Sequence, residues 1–327
     1  MFERTREYLQ SIGFPGEDLS QLPTSTATFT DLAHFRLEVP TVNSFAAAKS
    51  LLQEAEYLGI TINRITETLG IFRHTRTEIA DWVKLCQDYG CQLLMSPGPR
   101  ATYDTGATVF STQGMRIGYR LRGQEQLIRA IEDIKRAVEL GVRGFLVYDE
   151  GMLWVVNSMR RDGELPPDIF FKVSAHCGYA NPVSVKLMAN LGADSVNPVR
   201  DLQLPMIAAI RAAVDIPLDC HTDNPPASGG FIRSYEAPEI VRIAAPVYLK
   251  TGNSVISSHG QLTTSQQGKM MAKQASITVE MVNRYYPAAM QSEKGFCWRK
   301  QIENHGFTNA QSSGQTPRQR KTQGNAA

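Results

Sequence analysis

The 327-residue chain is sparing with cysteine: there are five, scattered, and none forms a CxxC pair. That spacing excludes a disulfide framework and predicts reduced thiols, hence a cytoplasmic protein. No apolar run approaches the length needed to cross a membrane, so no membrane partner is expected. Residues 1–18 mix Glu3, Arg4, Arg6, Glu7 and Glu17 without an apolar core, which does not read as a signal peptide. A strong charge of either sign is missing too. The net charge is +2, and the residues from Pro287 onward carry six basic side chains against two acidic ones. The body before them is therefore near −2, so no nucleic-acid surface is expected on it. No GxGxxG follows the first apolar run, which argues against an open dinucleotide-binding sheet.

What is present is a recurrent alternation. A short apolar run leads to a helical stretch that stops at glycine, and the next run begins at once. The runs are His34–Val39, Ile60–Ile65, Cys91–Met95, Arg143–Tyr148, Ile169–Ala175, Asp194–Asn197, Ile216–His221 and Val247–Lys250. Helices are predicted near 44–58, 77–89, 124–140, 152–161, 182–191, 202–214, 236–243 and 265–284, with Asn181-Pro182 as a cap followed by proline at the first helical position. Eight β-then-α units predict an α/β fold, a parallel (β/α)8 TIM barrel. It should span 31–286, with a lead-in over 1–30 and a flexible basic tail over 287–327.

Period-two alternation gives each strand an inner and an outer set. The inner sets are polar: His34, Arg36 and Glu38; Lys172, Ser174 and His176; Ser195 and Asn197; Asp219 and His221; Tyr248 and Lys250. Their neighbours (Leu37, Val39, Val173, Val196, Leu218, Val247, Leu249) suit the sheet–helix interface. Charges facing into a barrel must be paired, so a structural network such as Arg36 with Glu38 and Lys172 with Asp219 is one reading of the deep members.

The C-terminal strand ends are where such barrels place chemistry. The stretch Asp219-Cys220-His221-Thr222-Asp223 makes His221, Asp219, His176 and Lys250 the catalytic candidates. Here His221 and His176 would serve as acid/base groups or ligands, Asp219 would orient His221, and Lys250 would be an electrostatic anchor. Arg36, Arg100, Arg200, Asn197, Lys172 and Asn253 are candidates for holding a small carboxylate- or phosphate-bearing substrate. Glu38, Asp149, His221 and Asp223 offer a mixed N/O set for a divalent metal ion, the one cofactor left open. Lys172 and Lys250 could attack a carbonyl, although acidic partners make them anchors first. Glycines in 224–230 and 251–254 could turn backbone N–H groups toward an anion. Cys177 and Cys220 read as structural. A homo-oligomer is compatible with all of this.

The strings Leu37-Glu38-Val39-Pro40-Thr41-Val42-Asn43-Ser44, Tyr148-Asp149-Glu150-Gly151-Met152-Leu153-Trp154-Val155, Asn181-Pro182 and Ala245-Pro246-Val247-Tyr248-Leu249-Lys250 together resemble a divergent branch of the U32-type peptidases, over about residues 33–285. That resemblance implies a barrel and a collagenase-like protease label. Relatives look like barrels acting in hydroxylation of RNA or of ubiquinone precursors, some with a four-cysteine iron–sulfur cluster. The cysteine-containing signature of the family is absent here, so no cluster is expected and no catalytic residue is carried over. Beside an enzyme on a small anion, the alternatives are a metal-assisted carbon–carbon lyase of aldolase type, a peptidase, and a non-catalytic barrel that binds a metabolite or partner.

Overall fold

A computed structural model describes residues 1–98, 119–258 and 260–295. The strands β1 (Phe35–Pro40), β2 (Arg64–Thr66), β3 (Gln92–Met95), β4 (Gly144–Val147), β5 (Phe170–Val173), β6 (Ser195–Val196), β7 (Leu218–His221) and β8 (Val247–Lys250) close into one barrel in sequence order. Every neighbouring pair is parallel. This is the predicted TIM barrel.

Several helices begin where the sequence supplies a side-chain cap. After α1 (Glu3–Ser11), Ser44 caps α2 (Phe45–Tyr57), and Thr75 with Glu78 forms a capping box on α3 (Arg76–Asp88). The helices α4 (Gly123–Glu139) and α5 (Glu150–Asp162) follow, and Asn181 with Pro182 opens α6 (Pro182–Asn190). Then come α7 (Leu204–Ala213), α8 (Ala237–Ala244) and α9 (Ser265–Tyr285), the last with a Thr264–Gln267 capping box. Among the described residues no helix is long and apolar enough to cross a membrane.

The outer residues Leu37, Val39, Val173, Val196, Leu218, Cys220, Val247 and Leu249 join one apolar cluster with the inner faces of the helices. Full burial of a side chain such as Met271 of α9 stabilises the fold by roughly 1.5–3 kcal/mol. The N-terminal end of the barrel is sealed by two segments. A turn carries Phe29 under Tyr248, edge to face at a centroid separation of 5.3 Å. The stretch after α9 runs beneath β1, where the His34 and Phe35 N–H groups both donate to the Met290 carbonyl and the Ser292 N–H donates to that of Phe35. Asn63 ties this strap down by donating to the Ser292 carbonyl at 2.9 Å. Met290 and Ser292 are therefore hydrogen-bonded to the barrel floor.

The tightest helix contact is between α9 and α2. A Cβ on Gly268 would lie 2.3 Å from the Ala47 carbonyl oxygen. Helix propensity alone favours alanine at this position; backbone contact at that range reverses the sign. Gly268→Ala is expected to lower stability by about 1–3 kcal/mol in urea titration. An unchanged or higher midpoint would refute the close approach.

Candidate functional site

The barrel interior is built in tiers. At the bottom, Arg36 and Tyr248 are register partners on β1 and β8. Arg36 donates to Ser292 Oγ at 2.8 Å and to the Tyr248 hydroxyl at 3.0 Å, and its guanidinium lies 4.0 Å from the Phe29 ring centroid. This arginine serves the floor.

The middle tier holds Glu38, Arg64, Lys172 and Asp219, none of them exposed. Lys172 donates to both Glu38 oxygens and sits 3.2 Å from Asp219. Arg64 bridges Asp219 Oδ1 at 2.9 Å and Glu38 Oε2 at 3.3 Å, with its flat face 3.4 Å from the Tyr248 ring centroid. Thr66 donates to Glu38 Oε1 at 2.8 Å. Burial opposes ionisation of Glu38, but Lys172, Lys250 and Arg64 hold its carboxyl well below the usual range. At Asp219 burial, helped by the nearby Glu38 charge, outweighs Lys172 and Arg64 and keeps the carboxyl above its ordinary value. The difference follows from contact: Glu38 takes the two Lys172 bonds, while Asp219 Oδ2 has no hydrogen-bond partner. Two anions meet two cations, and the tier is neutral.

The mouth lies above it. Lys250 donates to Asn197 Oδ1 at 2.7 Å, and its amine is 3.6 Å from the already occupied Glu38. Burial, then the neighbouring Lys172 charge, pushes this lysine down to about 7. Asn197 is fixed by donating to the Asp219 and Pro198 carbonyls at 2.6 and 3.1 Å. His221, register partner of Lys250, is held well below its ordinary value by burial and then by Lys250, Arg200 and Lys172. Its Nδ1 lies 3.3 Å from the Asp223 carbonyl oxygen. A carbonyl only accepts, so Nδ1 carries the hydrogen and Nε2 is a bare acceptor. That Nε2 is buried and has no partner.

Arg200 follows β6 and donates to His176 Nε2 at 3.1 Å, which makes that ring nitrogen an acceptor as well. The Arg200 Nε is shut off from solvent without a partner, and burial lowers the affinity of this guanidinium for its proton. Tyr119 stacks on His176 at 3.9 Å and on Tyr148 at 5.2 Å. The Tyr148 and Ser96 hydroxyls are 2.6 Å apart.

Of the sequence candidates, His176, Asn197, Arg200, His221 and Lys250 are thus brought to the mouth. Others are not. Arg36 lies on the floor, and its expected pairing with Glu38 does not form because the side chain turns down between Phe29 and Tyr248. Lys172 is enclosed by Glu38 and Asp219 and presents nothing to a ligand. Asp219 does not orient His221; the Asp223 backbone does. Asn253 joins loops, accepting from Thr41 and donating to Asn224. Arg100 lies outside the described residues. Three of the four metal candidates are engaged elsewhere: Glu38 takes the Lys172 and Thr66 bonds, Asp149 caps α5 through the Met152 N–H, and Asp223 accepts from the Gly252, Asn253 and Ser254 N–H groups, which leaves only His221 with a bare ring nitrogen. Among the described residues no three His, Cys, Asp or Glu are placed to hold a metal ion. The same Asp223 bonds fill the loop after β8 that glycine content marks as an anion site. Cys177 and Cys220 are both pushed up to about 12 by burial, consistent with structural thiols.

Arg64, Tyr119 and Tyr148 were not legible as site residues. The three-residue β2 is too short for alternation to orient Arg64, and the tyrosines look like ordinary apolar filling until His176 is seen against one of them.

Lys250 makes stability depend on pH in a defined window. Below pH 7 both folded and unfolded chains hold its proton; between about 7 and the ordinary 10.5 only the unfolded chain does, so stability rises with pH. At roughly 1.4 kcal/mol per pKa unit the rise is at most about 5 kcal/mol. The stability difference between wild type and Lys250→Met, followed by denaturant titration across that window, is expected to climb. A flat difference would show an unperturbed amine.

A sequence profile of Peptidase family U32 matches residues 120–223, from the start of α4 through the end of β7. Among solved structures, a U32 peptidase aligns at 17% identity over 57% of this chain and 69% of its own, with a TM-score of 0.36. Thiamine phosphate pyrophosphorylase from Pyrococcus furiosus aligns at 12% identity, covering 76% of this chain and 98% of its own, TM-score 0.45. A Rubisco-like protein from Rhodopseudomonas palustris aligns at 14%, covering 86% and 72%, TM-score 0.47. No curated protein matches. The matched segment carries Tyr148, Lys172, His176, Asn197, Arg200, Asp219 and His221, so the resemblance read from the sequence is borne out where most of the mouth is encoded. The chain is a (β/α)8 barrel whose middle, residues 120–223, matches Peptidase family U32.

Proposed function

We propose that the protein is an enzyme acting on a small carboxylate- or phosphate-bearing molecule at the C-terminal strand ends. The observation that carries this reading is Arg200. Its one hydrogen bond among the described residues goes to a neutral imidazole, no ion pair neutralises it, and its Nε is enclosed without a partner. A largely enclosed guanidinium that feels Tyr119 and Asp201 only through space, with no ion pair among the described residues, is costly, and a ligand anion would supply the direct partner. Lys250 adds a second cationic group on the same side of the neutral middle tier.

In this reading Arg200 holds the anion and Tyr119 with Tyr148 wall the pocket. His221 Nε2 takes a proton from the substrate, and Lys250, poised near neutrality, gives or takes one. The ligand-set geometry lends no support to a metal-assisted lyase, since Asp223, Asp149 and Glu38 already serve internal partners. The two thiols near the mouth, at about 12, lend none to a cysteine peptidase.

Calorimetric titration with inorganic phosphate and with pyruvate tests the anion site. Loss of one charge-assisted contact is expected to weaken binding about 10- to 100-fold in Arg200→Ala. Equal affinity of wild type and variant would remove Arg200, and with it this reading.

A further inference from the structure

We propose that Lys250 forms an imine with its substrate, and that the substrate is a 2-oxo acid or a similarly compact carbonyl compound bearing a carboxylate. The inference rests on the anion-binding mouth proposed above and goes beyond it by assigning a covalent step. The barrel holds two inward lysines whose surroundings differ. Lys172 is surrounded by carboxylate: two bonds to Glu38 and a 3.2 Å contact with Asp219. Lys250 has only the neutral Asn197 oxygen at 2.7 Å, and Glu38, 3.6 Å away, already has its cation. The middle tier balances without Lys250, which is the surplus amine.

The groups that bear on Lys250 come from four elements around the barrel: Glu38 of β1, Lys172 of β5, Asp219 and His221 of β7, and Arg200 after β6. Their sum favours a neutral amine on a rigid strand end, the state in which lysine attacks a carbonyl. Arg200 would hold the substrate carboxylate, and the walls of Tyr119, Tyr148 and His176 favour a small molecule.

The step balances without a redox partner. The lysine lone pair attacks the carbonyl carbon, a C–N bond forms, and the C=O π pair moves to oxygen. A proton passes from nitrogen to that oxygen, giving a carbinolamine. The C–O bond then breaks, and the hydroxyl leaves as water with one proton taken from solvent, while the nitrogen pair closes the C=N bond. Amine, carbonyl and one proton give a protonated imine and water. The bare His221 Nε2 is then the acceptor for a proton on the carbon next to the imine.

The test is reductive trapping of the full-length chain with pyruvate and borohydride, read by intact mass and peptide mapping. A single adduct on Lys250, absent from Lys172 and lost in Lys250→Arg, with trapping that strengthens as pH rises through about 7, is expected. Mapping the wild-type chain decides the question even if the variant folds poorly. Pyruvate binding that weakens in Arg200→Ala but leaves no adduct on Lys250 would overturn the imine while leaving the anion site standing. Adducts spread over surface lysines, or phosphate binding with none of pyruvate, would overturn the imine as well.

Discussion

The buried quartet of Glu38, Arg64, Lys172 and Asp219 is the constraint on which the rest of this barrel depends. A barrel interior is ordinarily filled by branched apolar side chains in layers. Here four ionised groups replace them, and each alone would be expensive to desolvate. They are tolerable because they form a closed set: Arg64 reaches both carboxylates, Lys172 reaches both, and Thr66 fills a further Glu38 lone pair. Removing any one member strands the others in a medium without water. The quartet therefore fixes the strand register of β1, β2, β5 and β7 relative to one another, since a one-residue slip would turn the charges into the helix layer.

The quartet also divides the barrel into two ends with different tasks. Below it, Arg36 is spent on holding Phe29, Tyr248, Asp31 and Ser292 together, so the floor is made by the two segments that flank the barrel in sequence. Above it, Lys250, His221 and Arg200 are left without carboxylate partners of their own. The asymmetry lies in the partners: both carboxylates are engaged in the middle tier, and the amine, imidazole and guanidinium at the mouth hydrogen-bond only to neutral groups. That is why Lys172 is a structural ion, whereas Lys250, 3.6 Å from a Glu38 that Lys172 already occupies, is pushed down to about 7.

The fold was legible in the sequence because an apolar run followed by a helical stretch recurs eight times, several of the helices marked by a cap or a glycine stop, so that single errors could not undo it. Alternation also placed the inner set correctly where strands are four residues or longer: Lys172, Asp219, His221, Tyr248 and Lys250 all face inward. It failed for Arg64, whose strand is three residues long. It could not distinguish Arg36 from Glu38, two residues apart on one face, although a tier separates them and only one belongs to the charged middle. Depth along a strand depends on barrel stagger, and stagger is set by partners that a linear pattern does not reveal. The expected role of Asp219 toward His221 failed for the same reason: residues two apart share a face, yet Asp219 is claimed by cations from β2 and β5.

The loop after β8 shows how a correct local reading can still point to the wrong ligand. Gly252, with φ of 90°, lets three successive N–H groups converge, which is the geometry of an anion nest. The anion they meet is Asp223, from the loop after β7, joined by the Ser254 hydroxyl. A buried carboxylate that receives these bonds locks the β7 and β8 loops together, and with them the two strand ends that carry His221 and Lys250. The same Asp223 residue also presents its backbone carbonyl to His221 and so sets which ring nitrogen is bare. What the sequence offered as a place for substrate is thus the internal brace that orients the mouth.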